Sequence, residues 1–229
     1  MVVEERNGGE PRSAPRVLLG VTGSVAAVKA AELVAMMRNE GWEVRVVPTA
    51  SAKRFLDSAE AEARGDGNAS SAEASSSPTA PLHVDTDEEE WAQWQRKGDP
   101  VLHIELRRWA DILVIAPLSA NTLAKLAAGI CDNLLTSVFR AWEFRSNKPV
   151  VLAPAMNTEM WEHPFTSQHL RTLQMLSPRI STVQPVVKTL ACGDTGSGAL
   201  APLPDIIDAT RRVLCDDDDD HAPRSSVHT

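Results

Sequence analysis

Four short apolar runs, each ending in a turn of small or hydroxyl residues, constrain this chain more than any other feature. They are Arg16–Val21, Trp42–Pro48, Asp111–Pro117 and Lys148–Pro154. The first is followed by Thr22-Gly23-Ser24 and then by VAAVKAAELVAMMRNEG, whose Ala, Val, Leu and Met residues fall on one helical face. Trp42–Pro48 alternates, whereas Asp111–Pro117 and Lys148–Pro154 are continuous apolar stretches of the kind buried on both faces of a sheet. Helical stretches at Asn121–Ala128 and Asp132–Trp142 separate them. Strands alternating with helices predict an α/β fold, a parallel sheet covered on both sides, with ligands at the carboxyl ends of the strands.

With 229 residues, 43% of them hydrophobic, the chain suffices for one core. A single domain is expected over residues 16–214, after a floppy leader at 1–15 and before an acidic, unstructured tail at 215–229. Within the domain, residues 57–80 contain seven Ala and six Ser and too few large apolar side chains to offset the entropy of ordering, so they read as a mobile insertion. Residues 57–100 carry eleven acids against three bases and residues 216–229 five against one, which leaves sixteen bases and twelve acids for 17–56 and 101–215. On this reading the acidity lies in unfolded segments and the core is mildly basic, suited to a small anionic ligand.

Several function classes fall away. No apolar run reaches the roughly 18 residues that a bilayer-spanning helix needs, and the first sixteen residues lack the pattern of a secretory or transit signal, so a cytoplasmic protein is expected. No basic face interleaved with aromatics supports nucleic-acid binding. Cys131, Cys192 and Cys215 are odd in number and offer no metal-ligand spacing.

Gly20–Ala27 sits where backbone N–H groups at a strand-to-helix turn hold a phosphate. It lacks the third glycine of the dinucleotide fingerprint, and no ribose-binding acid ends the second strand, where Pro48-Thr49-Ala50-Ser51 stands instead. A mononucleotide phosphate suits the turn better than a nicotinamide dinucleotide, and an ordinary α/β turn is the alternative. Ser119, Ala120, Asn121 and Thr122 form a second such turn, in which Ser119 taken singly is a helix cap. Pro154–Trp161 is a third strand end, carrying Asn157, with Met160 and Trp161 at positions that also suit a core. His103 is flanked by Leu102 and Ile104; it suits a structural hydrogen bond, and it is also the obvious general base because imidazole titrates near neutrality. Cys192, in the Gly-rich stretch LACGDTGSG, is an accessible thiol able to donate a proton.

The same residues carry a family resemblance. Residues 17–201, outside 57–80, resemble the homo-oligomeric flavin-containing cysteine decarboxylases, above all the branch of phosphopantothenoylcysteine decarboxylases and plant halotolerance flavoproteins. The strongest stretches are DPVLHIELRRWADILVIAPLSANTLAKLAAGICDNLLTSVFRAW, PAMNTEMW and LACGDTGSGA. The resemblance implies a flavodoxin-like (Rossmann-like) three-layer sandwich, bound FMN, a homotrimer with active sites between subunits, and decarboxylation of 4'-phospho-N-pantothenoyl-L-cysteine in coenzyme A synthesis. It assigns Gly23, Ser24, Val25, Ser51, Ser119, Ala120, Asn121, Thr122 and Ala155 to the flavin, His103 to the base, Asn157 and Met160 to the substrate, and Cys192 to the final protonation. Members of the family carry a basic side chain where Thr189 stands here, so a phosphate contact in that strand falls to Lys188. Two alternatives share the family. One is an inhibitory subunit of a protein phosphatase, since fungal members with that role also have acidic tails; the other is a peptidyl-cysteine decarboxylase, which needs no final reduction and against which Cys192 argues.

Overall fold

The computed structural model describes residues 14–64, 83–189 and 195–220. The elements in order are β1 (Arg16–Val21), a 3-10 turn (Val25–Lys29), α1 (Ala30–Asn39), β2 (Glu43–Pro48), α2 (Ala50–Arg64), β3 (His83–Val84), α3 (Asp87–Gln93), α4 (Leu102–Trp109), β4 (Ile112–Leu118), α5 (Ala120–Ala128), α6 (Leu134–Arg140), β5 (Val150–Pro154), α7 (Thr158–Glu162), α8 (Pro164–Gln174), β6 (Ile180–Thr182), β7 (Val186–Thr189), β8 (Thr195–Ala199) and α9 (Leu203–Asp220).

Among the described residues, six parallel strands form one sheet in the order β3-β2-β1-β4-β5-β6, and β7 and β8 pair antiparallel as a separate hairpin. All seven residues of β4 are buried, as their continuous apolar run requires of a central parallel strand. Alternation within β1 sends Val17, Leu19 and Val21 to one face, against α1 and α9, and Leu18 to the other, against α4, α5, α6 and α8. These two apolar layers on one sheet make the expected three-layer sandwich. The strand order reverses between β1 and β4, so the crevice at their carboxyl ends is where a ligand belongs.

Two boundaries differ from the sequence reading. The insertion expected from residue 57 begins later, because α2 continues to Arg64; Ala, Glu and Arg are strong helix formers, and extending an existing helix costs far less than starting one. α9 likewise runs to Asp220, past the tail boundary expected at 215, as the extension of a helix already formed, although Asp is itself a poor helix former.

The acidic segment at 85–90 is folded as well. Asp85 is 2% exposed. Arg45 grips its carboxylate with two nitrogens, Nε lying 3.0 Å from Oδ2, and the guanidinium stacks over the Trp109 ring. Asp87 accepts the Leu134 N–H at 2.6 Å. Lys53 donates to Glu88 at 2.7 Å and holds that carboxyl down to about 2. That link is complete above the ordinary Glu range and is lost as pH falls through about 2. Thr86 and Glu89 form a capping box at the start of α3. Charge pairing with the sheet and neighbouring helices therefore orders a segment that hydrophobicity alone leaves unfolded.

Asp85→Ala strands Arg45, whose side chain is 23% exposed. It is expected to lower unfolding stability by about 3 kcal/mol, read from urea melts, whereas Glu88→Ala, at the exposed pair, should shift the midpoint little.

Candidate functional site

The site starts from a single buried hydroxyl. Thr22, fully buried just after β1, donates through Oγ1 to the Pro117 carbonyl at 2.8 Å and accepts the Ser119 N–H at 2.7 Å. The loops after β1 and β4 are thereby tied side by side. Ser24 caps the 3-10 turn by accepting the Ala26 N–H, and Ser119 caps α5 by accepting the Thr122 N–H. The Ala155 N–H donates to the Leu118 carbonyl, which brings the loop after β5 alongside, and the Met156 N–H donates to the Gly198 carbonyl, which ties that loop to the β7–β8 hairpin.

These loops enclose a cavity of two lobes. The larger, about 520 Å³, is walled by apolar Val25, Val28, Phe55, Ala155, Met156 and Leu200, with Asn157, Met160 and Lys188 also on its lining. The smaller, about 250 Å³, is polar, with Thr49, Ser51, Thr122 and Lys125 on its wall. Gly23, Ser119 and Asn121 line both. Gly23 has a steric reason to be glycine, since an added Cβ would lie 2.6 Å from the Ser51 Cβ. Val25 and Val28 are about half exposed at 50% and 46%, an apolar wall left uncovered among the described residues.

Asn157 caps α7, its Oδ1 accepting the Met160 N–H at 2.8 Å, which fixes the amide at the cavity and leaves its NH₂ group to face a ligand. The hairpin packs tightly on this segment: a Cβ on Gly198, whose φ is +115°, would lie 2.5 Å from the Met156 carbonyl oxygen. Cys192 and the rest of 190–194 lie outside the described residues, between the end of β7 at Thr189 and the start of β8 at Thr195.

His103 stands apart. It lies on α4, lines neither lobe, and its Nδ1 is 2.5 Å from Glu90 Oε1 on α3. Sequence reasoning thus brought the strand-end residues, Asn157, Met160 and Lys188 to one cavity, and it missed Thr22, which joins two of its loops, and Glu90, which holds the histidine. The signal for α3 was present in Thr86-x-x-Glu89, a capping-box spacing. Among the described residues no three His, Cys, Asp or Glu side chains group to hold a metal, and no helix is long and apolar enough to cross a membrane.

The sequence pattern of a family described as Flavoprotein matches residues 5–215. The chain belongs to the flavoprotein family. It is 50% identical to the phosphopantothenoylcysteine decarboxylase of Oryza sativa subsp. japonica over 203 residues, covering 89% of this chain and 82% of that one. Among solved structures, a PPC decarboxylase mutant complexed with pantothenoylaminoethenethiol is 46% identical, with a TM-score of 0.74, covering 89% of this chain and all of the other. The FMN binding protein AtHal3 is also 46% identical, with a TM-score of 0.72, covering 89% of this chain and 98% of its own. The six-stranded sheet flanked by helices is the fold these structures share.

The cavity fits a flavin mononucleotide in shape and donor chemistry. Hydroxyl and amide side chains of Ser24, Ser51, Ser119, Asn121 and Thr122 on its lining are of the chemistry that could hold phosphate and sugar oxygens, and Val25, Val28 and Ala155 supply apolar surface that could take a planar ring. The space kept open by Gly23 against Ser51 is one that any side chain at 23 would fill.

Proposed function

We propose that this chain is an FMN-dependent decarboxylase that converts 4'-phospho-N-pantothenoyl-L-cysteine to 4'-phosphopantetheine in coenzyme A synthesis. One observation carries the reading. Three strand-end turns and the Asn157 amide meet at a single cavity, in a chain half-identical to a phosphopantothenoylcysteine decarboxylase over nearly its whole length.

A cysteine carboxylate has no electron sink beta to it, so direct loss of carbon dioxide would leave an unstabilised carbanion. Bound FMN supplies the missing two-electron oxidation of the side chain to a thioaldehyde and returns the electrons at the end. The chain's own residues do the rest. Asn157 anchors the substrate with its amide NH₂, and Met160 packs beside it. Lys188, exposed at the cavity rim, offers a cation to the substrate phosphate. His103 Nε2 takes the substrate thiol proton, and Cys192 gives a proton to the enethiolate carbon left after decarboxylation.

Because His103 lines neither lobe of its own chain's cavity, a homotrimer is part of the proposal: each cavity receives His103 from a neighbouring subunit. The half-exposed Val25 and Val28 support a cover supplied from outside the chain.

Anaerobic incubation of the purified, flavin-loaded protein with phosphopantothenoylcysteine should release carbon dioxide and yield phosphopantetheine by mass. Unchanged substrate in the presence of bound FMN would overturn the reading. Gly23→Val, which drives a branched side chain into Ser51, should leave the fold intact by circular dichroism yet yield colourless protein, with FMN affinity down by tenfold or more.

A further inference from the structure

The acid run Asp87-Glu88-Glu89-Glu90 opens α3 directly beside α4. Three of its members are committed elsewhere: Asp87 to the Leu134 N–H, Glu88 to Lys53, and Glu89 to the Thr86 N–H within the capping box. On α4, Glu105 accepts from Arg108 at 3.1 Å and Arg107 pairs with Glu143. Arg140, at the end of α6, which also packs on α4, is exposed. That leaves Glu90, 14% exposed at its side chain, as the acid paired with His103, whose side chain is 28% exposed.

An ionised carboxylate can only accept hydrogen bonds. At 2.5 Å from Glu90 Oε1, His103 Nδ1 therefore carries the ring's proton, and the lone pair of the neutral ring sits on Nε2. The carboxylate is held firmly. The capping box and the ties to Lys53 and Leu134 fix the first turn of α3 on the body of the protein.

We propose that Glu90 is a positioning residue for His103, keeping the proton on Nδ1, turning Nε2 outward as the base and placing a negative charge beside the imidazolium formed in the reaction. This rests on the decarboxylase reading. In the step concerned the substrate S–H bond breaks and an N–H bond forms at Nε2. The hydrogen on the adjacent carbon leaves with its electron pair to FMN, and a C=S bond results. Glu90 itself takes no proton and touches no substrate.

The test uses flavin-loaded full-length protein. In the parent, the nitrogen NMR signals of His103 above its titration range should report the Nδ1–H tautomer; the Nε2–H tautomer there would overturn the proposal. Glu90→Gln keeps the size and polarity of the side chain and removes its charge. It should retain parent flavin content and half-saturation by substrate, yet slow anaerobic flavin bleaching at neutral pH by about tenfold or more. The acidic limb of its pH–rate profile should move to lower pH, because the imidazole loses the charge that favours its protonation. Glu90→Asp, which restores the charge, should return the limb towards the parent position.

A parent rate and parent limb in Glu90→Gln, or a slow variant whose limb is unmoved, would assign Glu90 to packing alone and overturn the proposal. If Glu90→Gln fails to take up flavin, the limb of Glu90→Asp and the parent tautomer decide by the same criteria. Parent protein that binds FMN but is not bleached by substrate would sink the decarboxylase reading instead, while the tautomer of the resting protein still reports on Glu90.

Discussion

His103→Asn is expected to bind FMN and assemble as the parent does, yet to bleach its flavin with phosphopantothenoylcysteine about a thousandfold more slowly, within the range that general-base catalysis supplies. Asparagine keeps a polar group on α4 but accepts no proton at neutral pH. Stopped-flow absorbance under anaerobic conditions gives the rate directly, and parent-like bleaching would remove His103 from the chemistry. Because His103 lies off its own chain's cavity while Asn157 lines it, the two residues of a working site come from different subunits in the proposed trimer. Refolding an equal mixture of His103→Asn and Asn157→Ala chains, each inactive alone, should restore activity at roughly a quarter of the sites, those that combine the intact side of each chain in a closed ring. No recovery in verified mixed trimers would place both residues at one subunit's site.

The second large effect belongs to Cys192, whose proposed task follows the loss of carbon dioxide. A serine hydroxyl is far less acidic than a thiol, whose ordinary pKa is about 8.5, so Cys192→Ser should block only the return step. One equivalent of carbon dioxide should appear per flavin, with an oxidised product two hydrogens lighter than phosphopantetheine and the flavin left reduced until an acceptor is added. Mass spectrometry of the product distinguishes this from a packing role, which predicts either full turnover or loss of fold and flavin together. Phosphopantetheine formed by Cys192→Ser at the parent rate would end the assignment.

The parts of this molecule legible in its sequence are those where hydrophobicity and turn chemistry agree. Asp111–Pro117, observed as the strand Ile112–Leu118, reads as a buried strand because the run is short, continuously apolar, rich in β-branched residues and closed by a turn, and Ser119 reads as a helix cap because its hydroxyl follows that run and precedes a helical stretch. In the acidic segment only the capping-box spacing Thr86-x-x-Glu89 is legible, and the charge pairs that order it are not. Asp85 is ordered by Arg45, forty residues away in sequence, and Glu90 by His103, thirteen residues on and on a different helix, so no helix or strand periodicity links the partners. The β7–β8 hairpin was missed for a related reason. Thr195–Ala199 is rich in Gly, which disfavours strands in isolation, and close packing of Gly196 and Gly198 on the α7 segment is what admits it here.

Thr22 gives the cavity a property beyond its shape. One buried hydroxyl just after β1 both donates to the Pro117 carbonyl and accepts the Ser119 N–H at the end of β4, so the relative position of the two loops is settled when the sheet forms. The entropy of ordering those loops is therefore lost during folding and not during ligand capture, which leaves more of each contact available as binding free energy. Flavin-free protein should accordingly protect the Ser119 amide from hydrogen exchange about as well as loaded protein does. A flavin that dissociates would leave behind a receptor still cut to its outline.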